Sequence, residues 1–162
     1  MKAKLIIALA AVAMLFTACN KDNNIKAGNN ELVYHGTVYQ LDGSVCYGSM
    51  EDMEDAYMID GIQNVENPLF SFIADARVST VNHTYNLPDG LPGDGKLYFF
   101  VAAEENSPVP GLSLEEGNFK SGTVTVSYDE EAFVFAVDAV LDDNTNFSVN
   151  IYKEKSSIEN CW

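Results

Sequence analysis

The sequence predicts an all-β domain, an antiparallel β-sandwich with a small β-barrel as the alternative. Three observations carry that expectation. First, residues 123–152 hold three runs of two-residue alternation. Val124 and Val126 lie between Thr123, Thr125 and Ser127; Phe133, Phe135 and Val137 follow; then Phe147, Val149 and Ile151 alternate with Ser148, Asn150 and Tyr152. A period of two puts the apolar side chains on one face of a strand. Second, turn chemistry such as Pro88-Asp89-Gly90 and Asp142-Asp143-Asn144-Thr145 recurs between short apolar runs, which is the punctuation of sandwiches and barrels. Third, only Met50–Asp55 has helical flavour, with Ser49 as a cap and Met50, Met53 and Tyr57 near one face. It is too short for a stable helix and reads as an acidic connection.

The chain begins with Lys2 and Lys4, a short positive region, followed by twelve apolar residues from Leu5 to Phe16. A membrane-spanning helix needs about 20 apolar residues, so this stretch is too short for a permanent anchor. Thr17 and Ala18 are small, as a cleavage site requires, and residues 1–18 read as a signal peptide. Residues 19–30 read as a flexible tether, because Asn20–Asn30 is polar and Asn-rich. Eleven residues of coil span about 18 Å on average. Residues 31–162 remain as a single all-β domain.

Within that domain residues 31–50 read as a hairpin turning at Asp42-Gly43, a tight-turn dipeptide, into Val45-Cys46-Tyr47. Ala56–Ile62 is a strand. Asn67-Pro68 turns the chain into Leu69–Ala76, with Phe70, Phe72, Ala74 and Ala76 on one face. Thr84–Leu87 is a short strand, followed by the loop Pro88–Gly95. Leu97–Ala103 is apolar on both faces, which suits a central strand covered on both sides. Pro108, Pro110 and Gly111 mark a turn before the final three-stranded meander.

Composition narrows the function classes. The chain carries 9 basic and 24 acidic residues. The signal removes Lys2 and Lys4 and no acid, taking the net charge from −15 to −17. Such a surface repels nucleic acid and anionic headgroups, and with Arg77 as the sole arginine phosphate recognition is disfavoured. Aromatic residues are plentiful and the acids are dispersed, as in a folded acidic domain.

Leu15-Phe16-Thr17-Ala18-Cys19 resembles the lipobox of bacterial lipoproteins. The resemblance implies that Cys19 becomes the lipidated first residue of the mature protein, held to a membrane by acyl chains worth ~0.8 kcal/mol per buried methylene. Phe16 departs from the residue usual three places before the cysteine. Lys21-Asp22 is similar to a surface-export signal of Bacteroidetes-type bacteria, though Asn23 and Asn24 stand where further acids are usual. Taken whole, with its lipobox, Asn-rich tether and β-rich domain ending in Gly122-Thr123-Val124-Thr125-Val126-Ser127, the chain resembles small Bacteroidetes-type outer-membrane lipoproteins. That group implies an outer-membrane, lipid-anchored location. It has no assigned common activity, so only Cys19 takes a role from it.

The chemistry-bearing residues are sparse. Asp142, Asn144 and Asn146 match the first ligands of a calcium loop, but Phe147 replaces its glycine and Lys153 its glutamate. A β-turn whose Asp and Asn side chains bond their own backbone is the commoner explanation. Glu51, Asp52, Glu54 and Asp55 offer clustered oxygens for a cation or a carboxylate pair for glycoside hydrolysis, although a solvated charge run explains them more simply. His35, in an expected strand, and His83, in an expected loop, belong to no recognisable motif. Tyr39, Tyr47 and Tyr152 suit either sugar stacking or cross-strand packing, and Trp162 stands at the chain end. No catalytic residue, metal site or cofactor is expected. Cys46 and Cys161 are left as candidates for a disulfide in an oxidising compartment, with the need for Cα atoms within about 7 Å left open.

The expected function is a non-catalytic binding or accessory module attached to a membrane through Cys19, its protein or glycan ligand unspecified. The alternatives are a small lipid-anchored hydrolase of extracellular glycans and a structural, fimbrial-type subunit. Cys19→Ala should leave an uncleaved or soluble protein that no longer incorporates a fatty-acid probe. Undiminished labelling of that variant would refute the lipobox.

Overall fold

The computed structural model describes residues 25–49, 54–93, 95–114 and 116–161. The expected signal peptide, Cys19, the first part of the expected tether, residues 50–53 of the stretch with helical flavour, and Trp162 lie outside the described residues. Among those described there is no α-helix, and none is long and apolar enough to cross a membrane. The fold is all-β, a curled, antiparallel sheet.

Its first hairpin turns on two residues. His35 and Gly36 have φ of 50° and 72°, the left-handed pair that a two-residue type I′ turn demands. They join β1 (Glu31–Tyr34) to β2 (Thr37–Gly48), with Tyr34 opposite Thr37. The turn expected at Asp42-Gly43 is therefore corrected. Those residues lie inside β2, where Gly43 pairs with Gly61 of β3 (Ala56–Gln63). The dipeptide carries glycine for close approach rather than for turning. A Cβ on Gly61 would lie 2.6 Å from Ile151 Cδ1, and one on Gly43 would lie 2.3 Å from Asn30 Oδ1 and 3.3 Å from Ile151 Cγ2.

β2 belongs to both halves of the sheet. Its residues 37–40 pair with β1 and residues 41–48 with β3. On one side the order continues from β1 to β10 (Asn146–Glu154), β9 (Ala132–Leu141), β8 (Phe119–Tyr128) and β5 (His83–Leu87). On the other it runs from β3 to β4 (Phe70–Arg77), β6 (Leu97–Ala103) and the two-residue β7 (Leu112–Ser113). The last strand, β11 (Glu159–Asn160), pairs in parallel with β2 at Cys46 and Tyr47, along the part that β1 does not reach.

Curling brings the two inner faces together. Phe72 of β4 and Phe99 of β6 lie 5.7 and 6.2 Å, ring to ring, from Phe135 of β9, while Tyr57 of β3 is 4.7 Å from Phe133. All four phenylalanines are fully buried, and aromatic contacts of this kind contribute about 0.5–1.5 kcal/mol beyond area burial. The alternation read from residues 123–152 is the alternation observed: Val124, Val126, Phe133, Phe135, Val137, Phe147, Val149 and Ile151 all point inward.

Two ends of the chain are tied to this sheet. Cys46 and Cys161 are joined by a disulfide, with Cα atoms 5.3 Å apart and a sequence separation of 115. A loop of that length is worth about 4–5 kcal/mol on the chain-entropy account. At the other end, folded contacts begin before residue 31. Ala27 N donates to Ser148 Oγ at 2.9 Å, Lys26 pairs with Asp138, and Asn30 Oδ1 accepts from Tyr152 N at 2.9 Å. Residues 26–30 thus form a strap across the outer side of β9 and β10. It helps to bury Val33 and Ser148, which pair across β1 and β10.

Gly61→Ala should destabilise the fold by about 1–3 kcal/mol, the usual cost of forcing extra volume into a packed core. Denaturant titration should show a lower midpoint with an unchanged slope. An unaltered midpoint would mean that Ile151 has room to move.

Candidate functional site

Sequence alternation made Leu97–Ala103 a strand covered on both sides, and the structure corrects this. Leu97, Phe99 and Val101 are buried, but Tyr98 and Phe100 stand only partly covered on the outside of the sheet. Strand register shows what lies beside them. Asp75 of β4 pairs with Tyr98 on one side and with Met58 of β3 on the other. One step along, Ile73 pairs with Phe100 and with Asp60. Residues paired in register share a face, so Met58, Asp60, Ile73, Asp75, Tyr98 and Phe100 form one outer surface. Ile62, 47% exposed, extends it along β3.

The two carboxylates on this face sit among apolar neighbours. Asp60 and Asp75 are diagonal across β3 and β4, which places their Cα atoms about 7–8 Å apart. Asp60 is exposed and Asp75 partly buried; desolvation by their neighbours raises both pKa values above the ordinary aspartate value, and for Asp75 the nearby Arg77 guanidinium pulls the other way. Arg77 itself donates to the Glu54 carbonyl at 2.8 Å. Asp75 Oδ1 is buried and has no hydrogen-bond partner among the described residues. A buried oxygen left in this state costs stability. The rings of Tyr98 and Phe100 are 5.6 Å apart and inclined at 47°, so they form a shallow angle rather than a flat platform. The Cys46–Cys161 disulfide borders the face, because Cys46 pairs with Met58.

The residues singled out by sequence lie elsewhere and are occupied. Glu54 accepts from Ser79 N and, at 3.0 Å, from Ser79 Oγ, and Asp55 accepts from the Tyr47 hydroxyl. These bonds lower both pKa values. The carboxylates thus serve the local structure; Glu51 and Asp52, which belong to the same acidic run, fall outside the described residues. In the β9–β10 turn Asp143 Oδ1 accepts from Thr145 N at 2.8 Å, which lowers its pKa, while Asn144 adopts a φ of 67° and its Oδ1 accepts from Lys120 Nζ at 2.6 Å. Asp142, Asn144 and Asn146 therefore belong to a side-chain-stabilised turn. Among the described residues no group of three His, Cys, Asp or Glu is arranged to hold a metal ion.

The histidines exchange their expected settings. His35 is in the first turn, with Nε2 3.5 Å from Thr145 Oγ1, whereas His83 opens β5, stacked on Tyr85 with Nδ1 2.9 Å from Val81 O. Tyr39 packs edge-on to Phe70, Tyr47 packs on Tyr57, and Tyr152 lines a shallow acidic recess with Glu130, Glu131 and Glu154. The outer face of β3, β4 and β6 escaped the sequence reading, although its signal was present. Outward positions 58, 73, 98 and 100 are all apolar in strands whose inward positions are apolar too.

Comparison with known proteins returns no matching family model, no matching curated protein and no matching solved structure.

The raised pKa values fix a sign. An acid whose folded pKa is raised binds protons more readily in the folded state, so its penalty is absent at low pH and grows as pH rises through that pKa. Asp75→Asn should raise the melting temperature at pH 7 by roughly 2–4 °C. The gain should vanish below the ordinary aspartate value of 3.8, where the wild-type side chain is protonated as well. A melting temperature lowered at pH 7 would show instead that the carboxylate has a stabilising partner.

Proposed function

We propose that this protein is a lipid-anchored lipoprotein of the outer membrane, a non-catalytic binding module that presents the outer face of β3, β4 and β6 to a ligand. The observation that carries the reading is that face itself: Met58, Ile73, Tyr98 and Phe100 beside two carboxylates with no ion pair among the described residues. These apolar side chains are only partly covered, Ile62 beside them is 47% exposed, and apolar surface left in contact with water marks interaction sites. The module reads as a β-sandwich rather than a closed barrel, since the strand path starts at β5 and ends at β7 with no pairing between them.

The position of the strap supports the anchoring. Residues 26–30 lie on the outside of the opposite half of the sheet. If Cys19 carries lipid, the six residues from there to Ile25 reach at most about 20 Å. The membrane then lies toward the strap, and the β3–β4–β6 face looks away from it. Resemblance to small Bacteroidetes-type lipoproteins agrees with this placement.

A second reading, a hydrolase of extracellular glycans, draws on Asp60 and Asp75 sharing one face. It is the weaker one. Glycoside hydrolysis needs two carboxyls flanking the scissile bond, whereas these project in the same direction from neighbouring strands. Strand exchange between structural subunits is weaker still, because the terminal strands have only five and two residues.

Photo-crosslinking in intact cells tests the module. A benzoylphenylalanine in place of Phe100 should give a discrete, irradiation-dependent adduct that disappears when Tyr98→Ala is added. The same probe in place of Ala136, beside the strap, should give none. Equal labelling from both positions, or none from position 100, would refute the proposed face.

A further inference from the structure

The geometry points to a cationic side chain as the group this face receives: a lysine or arginine from a basic segment of a protein partner, seated between the rings of Tyr98 and Phe100 and the carboxylates of Asp75 and Asp60. The inference rests on the binding-module reading and names the chemistry of its ligand.

Three features of the face select a cation over a neutral sugar or an apolar helix. The first is the ring arrangement. Tyr98 and Phe100 are inclined at 47° with centroids 5.6 Å apart. Sugar rings stack best on a flat aromatic platform, which this inclined pair does not form, whereas a cation needs the face of only one ring within about 6 Å of its centroid. The second is register. Asp75 is directly opposite Tyr98, and Asp60 is two strands from Phe100 with only Ile73 between them. Negative charge therefore flanks the rings on the β3 side, where an arriving ammonium or guanidinium would meet it. The third is the unsatisfied oxygen, Asp75 Oδ1. An N–H donor is what that atom lacks, and a charged donor makes the stronger bond. Arg77, two residues along β4, lends Asp75 some positive charge but gives its N–H to the Glu54 carbonyl and none to Asp75 Oδ1 among the described residues.

Charge across the whole molecule adds steering. A chain of formal net charge −15, and more negative without its signal, draws basic partners toward it and speeds their encounter. Steering alone would make any acidic surface attractive, so the test must separate this face from the general charge.

The probe is a fluorescein-labelled peptide of alternating glycine with arginine and lysine, titrated into the full-length lipoprotein in lipid nanodiscs and followed by anisotropy. Its control carries citrulline and acetyl-lysine at the same positions. The charged peptide should bind and the control should not. Asp75→Asn and Tyr98→Ala should each weaken binding about tenfold, the size of one charge-assisted or cation–π contact. Glu130→Gln with Glu131→Gln removes more charge from a distant recess and should change affinity less than twofold. Equal losses from the two sets of variants would overturn the proposal in favour of diffuse attraction. Binding of the neutral control that Tyr98→Ala abolishes would overturn the cationic assignment while leaving the face as a binding surface. If neither peptide bound and the probe at position 100 formed no adduct, both readings would fall together.

Discussion

Residues 43 and 61 face each other in register across β2 and β3, and neither has a side chain. That pair of hydrogens is the constraint on which the fold depends. Ile151, fully buried on β10, fills the space a side chain at 61 would need, and Asn30 together with Ile151 fills the space at 43. Because β2 can come this close to β10, it can leave its pairing with β1 and continue into the other half of the sheet without a break. A single long strand then does what would otherwise need a loop between two sheets. Leu41 and Val45, on either side of Gly43, bury themselves in the core that the bend encloses.

What the bend brings together is largely aromatic. Phe72 and Phe99 come from one half, Phe119, Phe133, Phe135 and Phe147 from the other, and their contacts run between halves as well as within them. Since β1 and β2 are the hydrogen-bonded link between the halves, this core and the disulfide provide the remaining closure. The Cys46–Cys161 bond acts on the half opposite the strap. One half is therefore clamped at its outer surface by residues 26–30 and the other at its rim by the segment that carries Cys161.

The strands with the most regular period of two were the ones legible from the sequence. β8 and β10 have mainly polar residues outside and apolar ones inside, β9 keeps the same period of buried residues although its outward Val134, Ala136 and Val140 are apolar, and the elements stand where that period places them. The first hairpin was not legible, because two glycine dipeptides compete there. His35-Gly36 and Asp42-Gly43 are both good turn chemistry, and only the three-dimensional approach of Asn30 and Ile151 keeps the second within a strand. β7 and β11, two residues each, are too short to carry a period. The candidate face failed for a related reason. A strand apolar on both sides signals double coverage, and sequence has no means to say that the second cover is missing.

That missing cover also separates the two outer surfaces of the molecule. Outside β8, β9 and β10 the residues include Thr123, Thr125, Asp138, Ser148 and Asn150 beside Val134, Ala136 and Val140, and this more polar side is the one that the strap crosses. Outside β3, β4 and β6 stand Met58, Ile73, Tyr98 and Phe100, all only partly covered. Folding stability alone would favour the reverse arrangement, with the strap laid over the apolar side, since burying it would gain about 25 cal/mol per Å². The same logic applies to Asp60 and Asp75, whose charge is disfavoured by the very neighbours they have. A sequence that leaves apolar side chains only partly covered and sets carboxylates among them on one surface violates two local rules in the same place. Such violations concentrate where a protein meets something other than itself, and here they coincide within a few residues of one another on three adjacent strands.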